Sequence, residues 1–294
     1  MEKPKKFTLI VILALMFQMF SCVTSDNAEQ NSEPEKKDSI PNEILQSTKE
    51  LFNTLPNPAE TAELIKNAKV EFDEKILNPV RNVPYYETSQ SMAINLGVYC
   101  ADLSFTCLFE QKQVTIEYLN AVKALTNDLG LVHLLKQEDI VKLESNLYNR
   151  DSIKIMVENL FLSSGDFLND SNRPEVALLV QFGGWIEGLY IAMQLAKQSG
   201  TINKQLVDRI VEQYESLNML IIAYENFSKI PGIPEVLSQL KSLRTIYDQM
   251  LITEKTSNQK EVPNLVLNAK AKVTPELFLS LYHEISKIRN SWTQ

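Results

Sequence analysis

Two acidic residues stand alone in the middle of long apolar runs. Asp102 lies in Leu96-Gly97-Val98-Tyr99-Cys100-Ala101-Asp102-Leu103, and Glu187 in Phe182-Gly183-Gly184-Trp185-Ile186-Glu187-Gly188-Leu189. Burying a lone carboxylate is expensive, so each acid needs a partner or a ligand. Each also has an aromatic neighbour, Tyr99 and Trp185. Two carboxyls beside an aromatic wall could bind a sugar or a cation, or act as the acid and base of glycoside cleavage. The same residues fit a structural role, in which each acid accepts local hydrogen bonds and fixes helix register. The candidate ligand groove is therefore Tyr99, Asp102, Trp185 and Glu187, with no residue assigned as catalytic.

Other reactive side chains are sparse. Cys100 and Cys107 are seven positions apart. On one helix that is two turns and about 10.5 Å of rise, beyond the span of a disulfide. They are expected as free, buried thiols acting as small hydrophobes. Of the two histidines, His133 follows a helix end. His283-Glu284 opens like a zinc-protease motif but lacks the second histidine four residues on. No metal site or cofactor is expected, and no nucleophile elbow, phosphate loop or dinucleotide fingerprint is present.

The elements that must hold these residues are helices. The chain has 294 residues, of which only 8 are glycine and 44% are hydrophobic. That is too apolar for a disordered chain and too poor in glycine for an α/β enzyme with glycine-rich turns. Apolar residues recur at three- and four-residue spacing, which predicts helices over 58–69, 86–110, 113–129, 137–145, 151–162, 173–198, 203–228, 234–252 and 275–292. Asn172 with Glu175, and Thr274 with Pro275, read as helix starts, and Gly130 and Gly200 as helix stops. The stretch 254–273 reads as a long loop or a short hairpin. The fold class expected is all-α, a multi-helix bundle of about nine helices. The helices over 86–110 and 173–198 are apolar nearly all round and mark its buried centre.

These two helices can be aligned with Gly97 on Gly183, Tyr99 on Trp185 and Leu103 on Leu189, with Asp102 and Glu187 differing in register by one, and each is followed by a second long helix. The alignment suggests two related helical hairpins about an approximate two-fold. Glycine inside a helix costs about 1 kcal/mol relative to alanine, so Gly97, Gly183, Gly184 and Gly188 need a reason. Close helix packing is one, and a groove floor where a ligand touches backbone is another.

The amino end reads as an address. Lys3, Lys5 and Lys6 precede an apolar run from Phe7 to Phe20, and Ser21-Cys22 follows. The run is short for a spanning helix of about 20 residues and has the layout of a secretory signal. Ser21-Cys22 resembles the lipobox of bacterial lipoproteins, which implies a signal peptide over 1–21 and lipid attachment at Cys22. Val23 after the cysteine resembles lipoproteins released to the outer membrane. Residues 22–42 are polar, with five acids and two lysines after the cysteine, and read as a flexible tether. Residues 43–294 are then a single helical domain.

Charge narrows the partners. The chain carries 29 Lys+Arg against 37 Asp+Glu, net −8; losing three lysines and one glutamate with the signal takes this to −10. An acidic body argues against nucleic acid, and it gains nothing from anionic headgroups, so the lipid must hold it to the membrane.

The motifs Asn95-Leu96-Gly97-Val98-Tyr99 through Ala101-Asp102-Leu103-Ser104, and Gly183-Gly184-Trp185-Ile186-Glu187-Gly188-Leu189-Tyr190, resemble uncharacterised all-helical outer-membrane lipoproteins of the Bacteroidetes type. The resemblance implies an envelope location, periplasmic or surface-facing, and brings no activity with it. The expected function is a lipid-anchored envelope protein, a non-catalytic module that binds an envelope protein or a small ligand. The alternative is a glycan-acting hydrolase or lyase using Asp102 and Glu187.

Overall fold

The computed structural model describes residues 41–132, 138, 141, 150–170, 173–198, 203–252, 270–271 and 273–294. They fall in one compact unit, Ile40–Gln294. The architecture is an all-α multi-helix bundle. In chain order the described helices are α1 (Asn42–Thr54), α2 (Pro58–Asn67), α3 (Ser89–Leu108), α4 (Lys112–Asp128), α5 (Arg150–Asp170), α6 (Pro174–Gln198), α7 (Lys204–Asn226), α8 (Ile233–Met250) and α9 (Pro275–Thr293). Two 3₁₀ turns, Glu74–Ile76 and Val80–Tyr85, lie between α2 and α3. Leu251–Ile252 pairs antiparallel with Lys270–Ala271 as a two-residue ladder, and most of the stretch 254–273, expected as a long loop or a short hairpin, lies outside the described residues.

Local chemistry sets the helix ends. Asn57 caps α2 in a reciprocal box with Glu60, ahead of Pro58. Thr88 caps α3 in a box with Ser91, which starts that helix three residues later than the apolar pattern suggests. Asn203 caps α7, and Thr274 caps α9 by accepting from Leu277 N. Gly130 adopts φ 74 just past α4, a left-handed stop that glycine takes without strain. Asn172, Gly200, Cys22, His133 and, apart from Glu138 and Val141, the helix expected over 137–145 lie outside the described residues.

Two differences from the sequence reading are physical. Helix α1 was not anticipated; its Ile44 and Leu45 rest against the core, and the helix packs on α5 and α7. Its mean polarity is high, and tertiary contact rather than propensity holds it. Helix α5 runs to Asp170 rather than 162, through Ser163-Ser164-Gly165, a sequence of weak helix formers.

Helices α3 and α6 form the centre. Between them they touch α2, α4, α5, α7, α8 and α9. Each is long and apolar enough to cross a bilayer by length and composition, yet 78% and 89% of their most apolar stretches are buried inside the protein. They are apolar on all sides because other helices surround them.

The α3–α6 crossing is a backbone contact. A Cβ on Gly97 would stand 2.1 Å from Val180 O and 2.6 Å from Gly184 N, and one on Gly183 would stand 1.9 Å from Ile94 O. The other two glycines of α6 face different neighbours: Gly184 abuts Phe161 and Pro58, and Gly188 abuts Thr61 of α2.

Candidate functional site

The glycine crossing brings the next turns of α3 and α6 together, and with them the two mid-helix acids. Asp102 and Glu187 both have no exposed surface. The third member is Arg289 of α9, which is 7% exposed. Its Nε donates to Glu187 Oε2 at 2.8 Å and its Nη2 to Glu187 Oε1 at 3.0 Å, a bidentate pair that uses both carboxylate oxygens. The guanidinium also lies over the Tyr190 ring, 4.5 Å from its centroid.

Asp102 is served differently. Its Oδ2 accepts the backbone N–H of Asn78 at 3.1 Å. Its Oδ1 is buried and receives no donor from the protein. The Glu187 carboxyl lies within hydrogen-bonding reach of the Asp102 side chain. Burial, and then the like charge of Glu187, push the Asp102 carboxyl well above the usual range. Arg289 and the Asn78 N–H oppose that shift without cancelling it. Burial works against the charge of Arg289, but Glu187 and Asp102 outweigh it and hold the guanidinium firmly protonated. The Cys100 thiol and the Tyr118 phenol are pushed up by burial and then by Asp102.

A shell of amides and phenols continues the network to the end of α9. Asn95 Nδ2 donates to Trp292 O at 2.8 Å, and Asn82 Nδ2 to Thr293 O at 3.0 Å. Tyr86 O–H donates to Thr293 O at 3.3 Å while accepting from Asn78 Nδ2 at 2.9 Å. Asn78 Nδ2 also donates to Asn95 Oδ1 at 3.2 Å. Tyr99 O–H is used on Pro79 O at 3.0 Å. These side chains satisfy the carbonyls that a helix C-terminus leaves without partners.

The structure thus joins three of the four groove residues and not the fourth. Tyr99 lies near Asp102, and Asp102 meets Glu187. Trp185 is two residues from Glu187 on α6, which is 200° around the helix at 100° per residue. It faces α7, where its Nε1 donates to Gln213 Oε1 at 3.2 Å. Tyr99 and Trp185 accordingly form no common wall beside the two acids, and the contact of the acids is sealed rather than open. Trp185 and Gly188 instead line a cavity of about 30 Å³ with Thr61, Arg209 and Gln213, room for a water or two.

A larger cleft of about 190 Å³ lies between α2, α3 and α5, lined by Glu63, Ser104, Cys107, Asp151 and Lys154 among others. Lys154 Nζ spans it to Glu63 Oε1 at 3.0 Å. Cys100 and Cys107 are both buried, and neither is in a disulfide. Among the described residues, no group of three His, Cys, Asp or Glu side chains is arranged to hold a metal.

The sequence reading missed Arg289, Asn78, Asn82, Asn95 and Tyr86. One signal was there for Arg289. It falls on the apolar face of α9 with Phe278, Leu281, Ile285 and Ile288, all buried, so a cation sits where a core residue belongs. Comparison with protein-family models, with curated proteins and with solved structures finds no match to this chain.

Proposed function

We propose that the protein is a lipid-anchored protein of the cell envelope whose helical body is a non-catalytic interaction module. The observation that carries the non-catalytic part is the sealed Asp102–Glu187–Arg289 contact: neither acid has surface that a substrate could reach. A general acid or base must come within hydrogen-bond reach of the reacting group. Glycoside cleavage by this pair would need an open cleft over both carboxyls, and Trp185, the aromatic that would floor it, faces α7.

The anchoring part rests on Ser21-Cys22 after a basic and then apolar leader, and on the acidic, polar stretch to residue 42. Diacylation with amino-terminal acylation gives stable membrane attachment, whereas one chain is marginal. Outer-membrane residence follows from Val23, and the partner is a protein of the envelope. The small-ligand version has less support, because the 190 Å³ cleft is smaller than the roughly 300 Å³ of ordinary ligand pockets.

Metabolic labelling with a radiolabelled fatty acid, followed by membrane fractionation, tests the anchor. The wild-type chain takes up label and sediments with outer membrane, and Cys22→Ala does neither. Label uptake by Cys22→Ala, or its unchanged membrane residence, overturns the proposal. Glycan turnover abolished by Glu187→Gln in a variant that stays folded overturns the non-catalytic assignment.

A further inference from the structure

Two buried carboxyls share one guanidinium, whose Nε and Nη2 donate to Glu187 and whose Nη1 donates to Asn290 Oδ1, so that none of its N–H groups reaches Asp102 Oδ1. Among the described residues, Arg289 is the one cation that acts on Asp102. The 3₁₀ segment ahead of α3 offers the Asn78 N–H, Tyr86 and, closer to Tyr118, Glu74; α4 offers Tyr118; α3 itself offers Tyr99 and Cys100. The lysines of α2 and α5 sit at the far end of α3, where Lys66 Nζ donates to Leu108 O and Lys154 pairs with Glu63. If both acids were ionised, the centre of the protein would hold an uncompensated negative charge and an Oδ1 with no donor. Either defect is costly in a site of low dielectric.

One proton removes both defects. We propose that Asp102 is held as a neutral carboxylic acid whose Oδ1–H donates to the Glu187 carboxylate, and that this proton completes a pH-sensitive latch holding α9 against α3 and α6. With the proton in place the triad is neutral: Arg289 positive, Glu187 negative, Asp102 uncharged. Loss of the proton to solvent sets two anions against each other around one cation and weakens the seat of α9. The network beyond the triad ties the same helix down through Asn95, Asn82 and Tyr86, so the pressure of deprotonation falls on the docking of α9 as a unit.

The pH dependence has an unusual sign. An unfolded aspartate titrates near 4, and the folded carboxyl titrates higher, so between those values the folded chain binds one more proton than the unfolded chain. The stabilisation is fully present below about pH 4 and is lost as pH rises through the folded-state value. Over that window the folded-to-unfolded ratio falls about tenfold per pH unit.

The test uses the full chain in detergent, as wild type, Asp102→Asn and Glu187→Gln. Infrared spectra over a pH series rising from about pH 5, where a free aspartate has ionised, report protonated carboxylic acids by their carbonyl stretch, and urea unfolding over the same series reports the linkage. Wild type shows the protonated-acid band at the acid end of the series, and while the band persists its folding equilibrium gains up to about tenfold per unit of acidification. Asp102→Asn loses the band and that slope, since its amide can donate to Glu187 at any pH. Glu187→Gln also loses the band, because Asp102 becomes the sole counter-ion of Arg289 and ionises. Where a variant does not fold, the wild-type band and its assignment by isotope-labelled aspartate decide alone. Absence of the band in wild type, its persistence in Asp102→Asn, or a wild-type slope in Asp102→Asn overturns the proposal.

Discussion

Gly97 and Gly183 occupy reciprocal positions in the α3–α6 crossing: each lies against the carbonyl of the residue three before the other, Val180 for Gly97 and Ile94 for Gly183. The contact is a local two-fold, and it falls on the pair of glycines that the sequence alignment superposes. Neither carbonyl can rotate away as a side chain could. Gly97→Ala and Gly183→Ala should therefore each destabilise by about 3 kcal/mol or more, the upper end of overpacking costs. At Gly188 the obstacle is only the Thr61 methyl, 2.8 Å from a built Cβ. A turn of Thr61 relieves it, and alanine gains about 1 kcal/mol of helix propensity, so Gly188→Ala should be close to neutral. Urea midpoints at unchanged slope separate the two classes.

Removing Arg289 should be among the most damaging single changes in the core. Arg289→Met leaves Glu187 buried without a counter-ion, at a cost of about 3–5 kcal/mol. Arg289→Lys keeps the charge but loses the bidentate geometry and the stacking on Tyr190, and should fall between. Replacing all three charged groups by apolar residues of similar volume, Asp102→Leu with Glu187→Leu and Arg289→Met, should recover most of the loss. Denaturant titration of the single and triple variants reads this non-additivity directly.

The two core cysteines should differ in reactivity. Cys107 is 9% exposed and lines the cleft between α2, α3 and α5, while Cys100 has no exposed surface and a thiol pushed up by burial and by Asp102. In a Cys22→Ala background, a small alkylating reagent should modify Cys107 slowly in the native state and Cys100 only after unfolding. Peptide mass spectrometry resolves the sites. A mild oxidant should leave the pair uncrosslinked, because α3 separates them by two turns.

Asn95→Ala removes a donor to Trp292 O and an acceptor for Asn78. It should cost about 1–3 kcal/mol, because buried polar groups are left unmatched. Hydrogen exchange should show the loss concentrated in the last two turns of α9 rather than spread over the bundle.

The helical class and the identity of the central pair were legible because α3 and α6 are apolar on every face, a pattern no surface helix shows. Asp102 and Glu187 were legible as anomalies for the same reason. Their partner was not, because Arg289 comes from a helix with an ordinary amphipathic pattern and is 102 residues from Glu187. Its place on the apolar face of α9 marks it as buried, but with Lys287 and Asn290 beside it nothing local says which acid it meets. Trp185 was misplaced because proximity in sequence to Glu187 was read as proximity in space, whereas two steps along a helix reverse the direction. Helix α1 was hidden by its polarity: only contact with α5 and α7 makes it worth forming.

The union of Arg289 with Glu187 and of Thr293 with Tyr86 also fixes an order of events. These contacts join residues 102 and 207 positions apart. Until residues 289–293 have left the ribosome, α3 and α6 can meet only by burying two acids with no cation between them. A nascent chain lacking α9 therefore has reason to stay open. Closure becomes favourable with α9, which makes its arrival, rather than the early meeting of the two most apolar segments, the step that commits the chain to its core.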